Sequence, residues 1–208
     1  DRVFPDNYFV SKNFPDREEA GTPNILGAIT LGASIHVLHS IGMELILEED
    51  LSLTYYAINK MKKYKDIYIY GDTNLSECKR TGTISFNIIG MNHGLVASIL
   101  NDYFNIAVRN ECFCAHPYVE KMLHNTHNEE INSLECQDDH LKWRVEPWMG
   151  MVRASFGIYT TKSDIDKLIN ALIQITDNKE YYIKQYHTNH NGDYFHNKFK
   201  FSSSDFFS

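Results

Sequence analysis

The chain has 208 residues, of which 43% are hydrophobic and 23% charged, and its formal net charge is -7. That length accommodates one sizeable core, or one small domain plus elements shared with a larger one. The negative balance argues against a nucleic-acid partner, which would require clustered Lys and Arg.

The chain opens at Asp1 rather than Met, and residues 1–20, with Pro5, Pro15 and mixed charge, have no helix or strand pattern of their own. The segment is expected to be a loop that continues a longer protein. From Gly21 to Met43 there is no Asp, Glu, Lys or Arg, which approaches the length of a membrane span. Asn24, Thr30, Ser34, His36, His39 and Ser40 interrupt it, and Gly27, Ala28, Gly32, Ala33 and Gly42 dilute its hydrophobicity. A helix covered on most sides by protein is the expectation, with no membrane as partner. Thr22 is expected to cap that helix, with Pro23 where a missing N–H costs nothing and Gly42 as the stop. A second helix is predicted from about Met43 to Lys63, with Leu47, Leu51, Tyr55, Ile58 and Met61 on one face. Lys60, Lys62, Lys63 and Lys65, the one basic cluster, read as its solvated last turn, where cations suit the dipole.

The texture then changes. Asp66 to Tyr70 is short and rich in β-formers, and Gly71 and Asp72 turn the chain. Thr83 to Ile89 alternates like a strand with one buried face. A turn over Gly90 to His93 precedes a helix marked by Leu95, Ile99, Leu100 and Phe104. Ile106 to Val108 reads as a short strand, and Met151 to Phe156 as another. Ser163 is expected to cap a helix carrying Ile165, Leu168, Ile169, Leu172 and Ile175. Residues 124–148 are polar and irregular, which predicts a long loop, and residues 178–208 form an aromatic and polar tail, a docking arm or a disordered end. The sum predicts an α+β fold, helices packed on a mostly antiparallel sheet.

Three stretches could carry chemistry. In Glu19-Ala20-Gly21-Thr22-Pro23-Asn24 a Gly-Thr-Pro turn opening a helix presents a hydroxyl and backbone N–H groups, a natural anion seat, although most such residues only cap. In Val108-Arg109-Asn110-Glu111-Cys112-Phe113-Cys114-Ala115-His116-Pro117, Arg and His neighbours favour thiolate, the nucleophilic form. Two other readings compete there. Cys112 and Cys114 are inert and buried, or they join Cys136, His116 or His140 in a zinc site, although the spacing is not that of paired zinc ribbons and no metal is expected. In Val152-Arg153-Ala154-Ser155-Phe156 the arginine suits a bidentate grip on a substrate carboxylate, against the alternative of a structural ion pair. The four cysteines, Cys78, Cys112, Cys114 and Cys136, suggest no disulfide framework, and no signal-peptide pattern is read, so a reduced cytoplasmic setting is the default.

Together these segments resemble the class V aminotransferase and group II cysteine desulfurase family, enzymes of fold-type I that use pyridoxal 5'-phosphate. Arg17 to Ile25 is similar to the family's R-x-E-x-G-T-P-N segment, and Arg80-Thr81-Gly82-Thr83-Ile84-Ser85-Phe86 to its R-x-G-x-x-S-F strand. Val108 to Pro117 resembles the V-R-x-G-x-x-C-A-H-P loop, with Glu111 where the family has glycine. Val152 to Asp166 resembles the closing R-A-S-F-x-x-Y-N-T-x-x-D-I-D signature. The resemblance implies that this is the C-terminal portion of such an enzyme. Residues 1–63 would then be an opening segment and long helices linking from an absent large cofactor domain, and residues 64–177 the small C-terminal domain. It implies that Thr22 and Gly21 meet the cofactor phosphate across a homodimer with shared active sites. It implies that Arg153 holds the amino-acid carboxylate, that Arg109 supports the loop at the substrate, and that Cys114 attacks the sulfur of bound cysteine. L-cysteine would yield L-alanine and an enzyme persulfide, destined for a sulfur-acceptor protein. The cofactor's lysine would lie in the N-terminal half, so this chain alone is expected to be incomplete. An aminotransferase or epimerase without sulfur chemistry, and a non-catalytic truncated paralogue acting as an interaction module, are the rival readings. The Glu111 departure leads to the expectation that the cysteine loop takes a different backbone path.

Overall fold

A computed structural model of the chain describes residues 2–4, 7–19, 21–74, 80–126, 150–190 and 192–199, with backbone alone at 2–4, 7–8 and 124–126. Cys78, Cys136, His140 and the expected loop over 127–148 lie outside these described residues. The chain divides into two compact units, Asp1–Ile46 and Leu47–Ser208.

In the first unit β1 (Arg2–Phe4) pairs antiparallel with β2 (Asn7–Phe9), so the expected loop contains a hairpin. Strands of three residues are too short to show alternation in sequence. Helix α1 (Ile25–Ile41) starts later than expected, because Asn24 and not Thr22 is its N-cap: the Asn24 side chain accepts from the Gly27 N–H at 2.9 Å. Gly42 ends it as expected, at φ +100°, and its N–H donates to the Leu38 carbonyl. The expectation of a covered helix fails. No residue of α1 is buried, and Leu26 is 78% exposed. A helix that is apolar all round needs protein on every side, and the described residues supply none. No single helix among them is long and apolar enough to cross a membrane.

Helix α2 (Met43–Met61) runs into the second unit, where Leu53, Thr54, Ala57, Ile58 and Met61 are buried. Strands β3 (Ile67–Ile69), β4 (Thr83–Ile88), β5 (Arg109–Glu111) and β6 (Met151–Ser155) form an antiparallel sheet in the order β3–β4–β6–β5. Helices α3 (His93–Phe104), α4 (His116–Thr126) and α5 (Lys162–Asp177) accompany it. The ladder at β5 begins at Arg109, three residues after the start of the predicted strand. Ile106 and Val108 pack on the core from a segment outside the ladder, and pairing starts only where Arg109 meets Arg153. Helix α4 likewise reaches into the stretch read as loop.

The pleat assigns the two faces of the sheet. Ile84, Phe86, Ile88, Val152 and Ala154 share the main core with Leu53, Ile58 and Met61 of α2, Ile99 and Leu100 of α3, and Leu172 and Ile175 of α5. Each of these side chains except Ala154 contributes about 1.5–3 kcal/mol on burial. Helix α5 is capped by Thr161 rather than Ser163. The Thr161 hydroxyl accepts from the Asp164 N–H while the Asp164 carboxylate accepts from the Thr161 N–H, a reciprocal capping box. The Thr161 hydroxyl also donates to the Asp164 carboxylate at 2.7 Å, and that bond first, then the Thr161 N–H, holds the Asp164 carboxyl below its usual range.

Residues beyond α5 add α6 (Lys179–Lys184) and a hairpin of β7 (Tyr186–Thr188) and β8 (Tyr194–His196). Their aromatic residues explain the attachment. Tyr186 donates its hydroxyl to Asp102 at 2.9 Å, Tyr103 and His196 Nε2 are 2.8 Å apart, and the Tyr103 and Tyr182 rings pack edge-on at 5.0 Å. Burial, together with the Asp102 carboxylate, pushes the Tyr186 hydroxyl far above its ordinary pKa, so it stays a donor.

Candidate active site

The second face of the sheet carries the candidate site. Met151 packs there with Tyr70, Cys112, Val119 and Leu123 in a smaller apolar cluster that seats α4 against β6. Arg153, two residues on, shares this face, and across the ladders its direct partners are Ser85 of β4 and Arg109 of β5. Opposed residues in an antiparallel pair project to the same side, so Ser85, Arg153 and Arg109 form one row. Two arginines side by side make a cationic strip, with Arg153 half-buried and Arg109 exposed.

The segment after β5 is a tight turn. The Ala115 N–H donates to the Cys112 carbonyl at 2.8 Å, which places Phe113 and Cys114 at the two central positions. Both stand at positive φ, +53° and +60°, the φ signs of a type I′ turn. Glycine and asparagine favour those positions, whereas Phe and Cys each incur about 1–2 kcal/mol there. Glu111, where the resembling motif has glycine, stands at φ +82°. The loop therefore holds the left-handed backbone that glycine tolerates, at a glutamate's expense, and the Glu111 substitution has not moved that position out of the glycine region. Left-handed backbone thus concentrates in three residues around one thiol.

The turn separates the two cysteines. Cys112 is 5% exposed, and burial, with Glu111 and Glu120 adding to it, pushes its thiol pKa up. Cys114 is exposed at the tip. The inert reading thus fits Cys112 alone, and the accessible sulfur is that of Cys114. Phe113, for which residue type and motif suggest no role, packs partly against the small cluster, and its ring lies under the Arg153 guanidinium, 4.9 Å from Cζ to centroid. Arg153 Nε is buried with no hydrogen-bond partner. An unpaired buried donor on a cation is costly, and among the described residues no carboxylate pairs with it, so a ligand carboxylate is the natural complement.

The Arg80 to Phe86 segment has a mechanical explanation. Arg80 donates to the carbonyls of Tyr70 and Asp72 at 3.0 and 2.8 Å, closing the turn after β3. A Cβ on Gly82 would lie 2.9 Å from an Asp50 carboxylate oxygen, so a larger residue there would displace the Asp50 side chain of α2. A cleft of about 710 Å³ borders the cysteine segment, lined by Glu111, Cys112 and His116 together with His93, Asp193 and His196 among others, and neither Cys114 nor Arg153 lines it.

Thr22 and Gly21 belong to the first unit, and Arg109, Cys114 and Arg153 to the second. Because Asn24 takes the capping role, the Thr22 hydroxyl has no hydrogen bond among the described residues. A Cβ at Gly21 would meet nothing within 4 Å, so packing does not demand glycine there. An exposed hydroxyl beside an uncrowded glycine suits a phosphate group, and this donor set fits the phosphate of pyridoxal phosphate.

A sequence model of the family described as aminotransferase class-V matches residues 1–168. The chain belongs to the class V aminotransferase family. A probable cysteine desulfurase of Halalkalibacterium halodurans is 33% identical over 171 residues, covering 82% of this chain and 34% of the relative. A probable cysteine desulfurase of Staphylococcus aureus strain Mu50 is 34% identical over 175 residues, covering 80% and 35%. The apo structure of a cysteine desulfurase from Thermococcus onnurineus NA1 superposes with a TM-score of 0.62 at 29% identity, over 85% of this chain and 37% of that one. The chain thus spans about a third of the length of the relatives it matches, and its α+β architecture fits a fragment of a fold-type I enzyme. The family match stops within α5, leaving α6 and the β7–β8 hairpin beyond it.

Proposed function

We propose that this chain is the substrate-side, C-terminal part of a cysteine desulfurase that converts L-cysteine to L-alanine and leaves a persulfide on Cys114. The observation that carries the reading is the exposed Cys114 thiol on a strained turn whose preceding residue stacks on a half-buried, unpaired arginine. Similarity to proteins named cysteine desulfurase supports it.

Arg153 binds the amino-acid carboxylate through a charge-assisted pair, supplying the partner its Nε lacks. Arg109, opposite it on β5, adds positive potential and draws the anionic end of the substrate to this face. Pyridoxal phosphate, held by a lysine outside this chain, supplies the electron sink for chemistry at the amino acid's α-carbon. Thr22 and Gly21 contribute to its phosphate site, in a homodimer whose active sites are shared. Cys114 Sγ bonds to the substrate sulfur as that sulfur parts from its carbon. The electron pair of the broken bond, with a proton, stays on the carbon skeleton, which leaves as alanine. The persulfide waits at the exposed tip, accessible to a sulfur-acceptor protein, in a reducing cytoplasm. Residues 1–63 act as the link to the cofactor domain and residues 64–177 as the small domain.

Cys114→Ala in the complete protein tests this. Sulfide and alanine release from L-cysteine should fall to background while the cofactor absorbance persists; unchanged turnover removes Cys114 from the mechanism.

A further inference from the structure

Nothing in the motif assigns a task to Phe113, yet it connects the two halves of the proposed site. Its ring faces the Arg153 guanidinium at 4.9 Å, and its peptide bond leads directly into Cys114. It holds φ +53°, a conformation an aromatic residue avoids unless its side chain is held elsewhere. It is held: the ring packs against the cluster of Tyr70, Cys112, Val119, Leu123 and Met151 on one side and meets Arg153 on the other. Arg153 in turn has a buried Nε without a partner, so the ring contact is what defines the orientation of an otherwise unpaired guanidinium.

We infer that Phe113 is a positioning residue. Its ring fixes the Arg153 guanidinium for the substrate carboxylate and ties that arginine to the turn that presents Cys114. The inference rests on the proposed role of Arg153. Loading of the arginine by a carboxylate and placement of the thiol become one event, because a shift of the guanidinium displaces the ring and hence the turn. A planar cation on an aromatic face is the interaction that requires both partners: lysine is a poor substitute for the guanidinium, and leucine for the ring.

The test uses the complete enzyme in five forms: wild type, Phe113→Leu, Phe113→Tyr, Arg153→Lys and the Phe113→Leu/Arg153→Lys double variant. Loss of a cation–aromatic contact corresponds to roughly two- to thirty-fold in binding. Phe113→Leu should raise KM for L-cysteine within that range, Phe113→Tyr should restore it, and in the Arg153→Lys background Phe113→Leu should add little. A second readout needs no turnover, namely the rate of Cys114 alkylation by iodoacetamide, followed on the Cys114 peptide. Phe113→Leu and Arg153→Lys should change that rate in the same direction, and the double variant no further than either. An unchanged KM in Phe113→Leu, a Tyr variant as impaired as the Leu variant, or additive effects in either readout overturns the inference. If wild type fails to release sulfide from L-cysteine, the proposed function fails, while the alkylation rates still decide whether ring, arginine and turn are coupled.

Discussion

Glu111→Gly should stabilise the protein. Glu111 stands at φ +82°, a region in which a side chain incurs about 1–2 kcal/mol. Glycine removes that strain but adds freedom to the unfolded chain worth about 0.4–1 kcal/mol in the opposite direction. The Glu111 side chain is exposed, so little packing is lost with it. The net expectation is a gain of about 0.5–1 kcal/mol, and for a unit of this size a Tm rise of roughly 1–4 °C. Paired thermal and urea melts of wild type, Glu111→Gly and Glu111→Ala supply the assay. Alanine keeps the Cβ and therefore the strain, so it should match wild type or fall below it, and glycine should exceed both. A glycine variant no more stable than alanine would refute the assignment of strain to this position.

Two further outcomes follow from named contacts. Arg153→Ala should chiefly raise KM for L-cysteine by loss of a charge-assisted pair, with a far smaller change in binding of amino-acid amides, and an unaltered KM would end that role. Lys60 lies against Asp166, which also accepts from the Tyr56 hydroxyl; the Lys60 hydrogen bond, then Tyr56, hold the Asp166 carboxyl below its usual range, while Asp166 holds the Lys60 ammonium above its own. The depressed carboxylate contributes above its unfolded pKa of about 3.9, and its contribution is lost as pH falls through the folded value. The raised ammonium contributes below about 10.4, and is lost as pH rises through its folded value. Asp166→Asn should therefore lower the urea midpoint most near neutral pH, with the deficit shrinking toward both extremes; a deficit constant with pH would contradict the pairing.

Much of this architecture was readable from pattern. Thr83 to Ile88 alternates because one face meets the core and the other the site, and α5 repeats apolar residues where it covers the sheet. Ladder starts and caps were less legible. Ile106 to Val108 has the composition of a strand but pairs with no strand among the described residues, because pairing depends on where β6 lies, which no local window contains. Thr22 and Asn24, or Ser163 and Thr161, are equally good caps in isolation, and the backbone path chooses between them. Covering of α1 was inferred from its lack of charge, which reports the need for a partner and not its presence. The α6 and β7–β8 segment attaches through Tyr186 and His196 to residues far away in sequence, so it has no periodicity to read.

At the site, Cys114, Arg109 and Arg153 were singled out by residue type and motif, and the sheet places the two arginines side by side. The role of Phe113 was invisible, because a ring beneath a guanidinium is a product of the turn and the ladder together. The division between Cys112 and Cys114 was equally hidden, since two cysteines two residues apart look alike until the turn buries one and exposes the other.

The most direct measurement is mass-spectrometric mapping of persulfide after the complete protein, loaded with pyridoxal phosphate, is given L-cysteine without reductant. The account predicts one added sulfur on the peptide containing Cys114, formed together with alanine and blocked by prior alkylation of that thiol. Alanine formation with the added sulfur on another cysteine, or turnover that leaves the Cys114 peptide unmodified throughout, would contradict it.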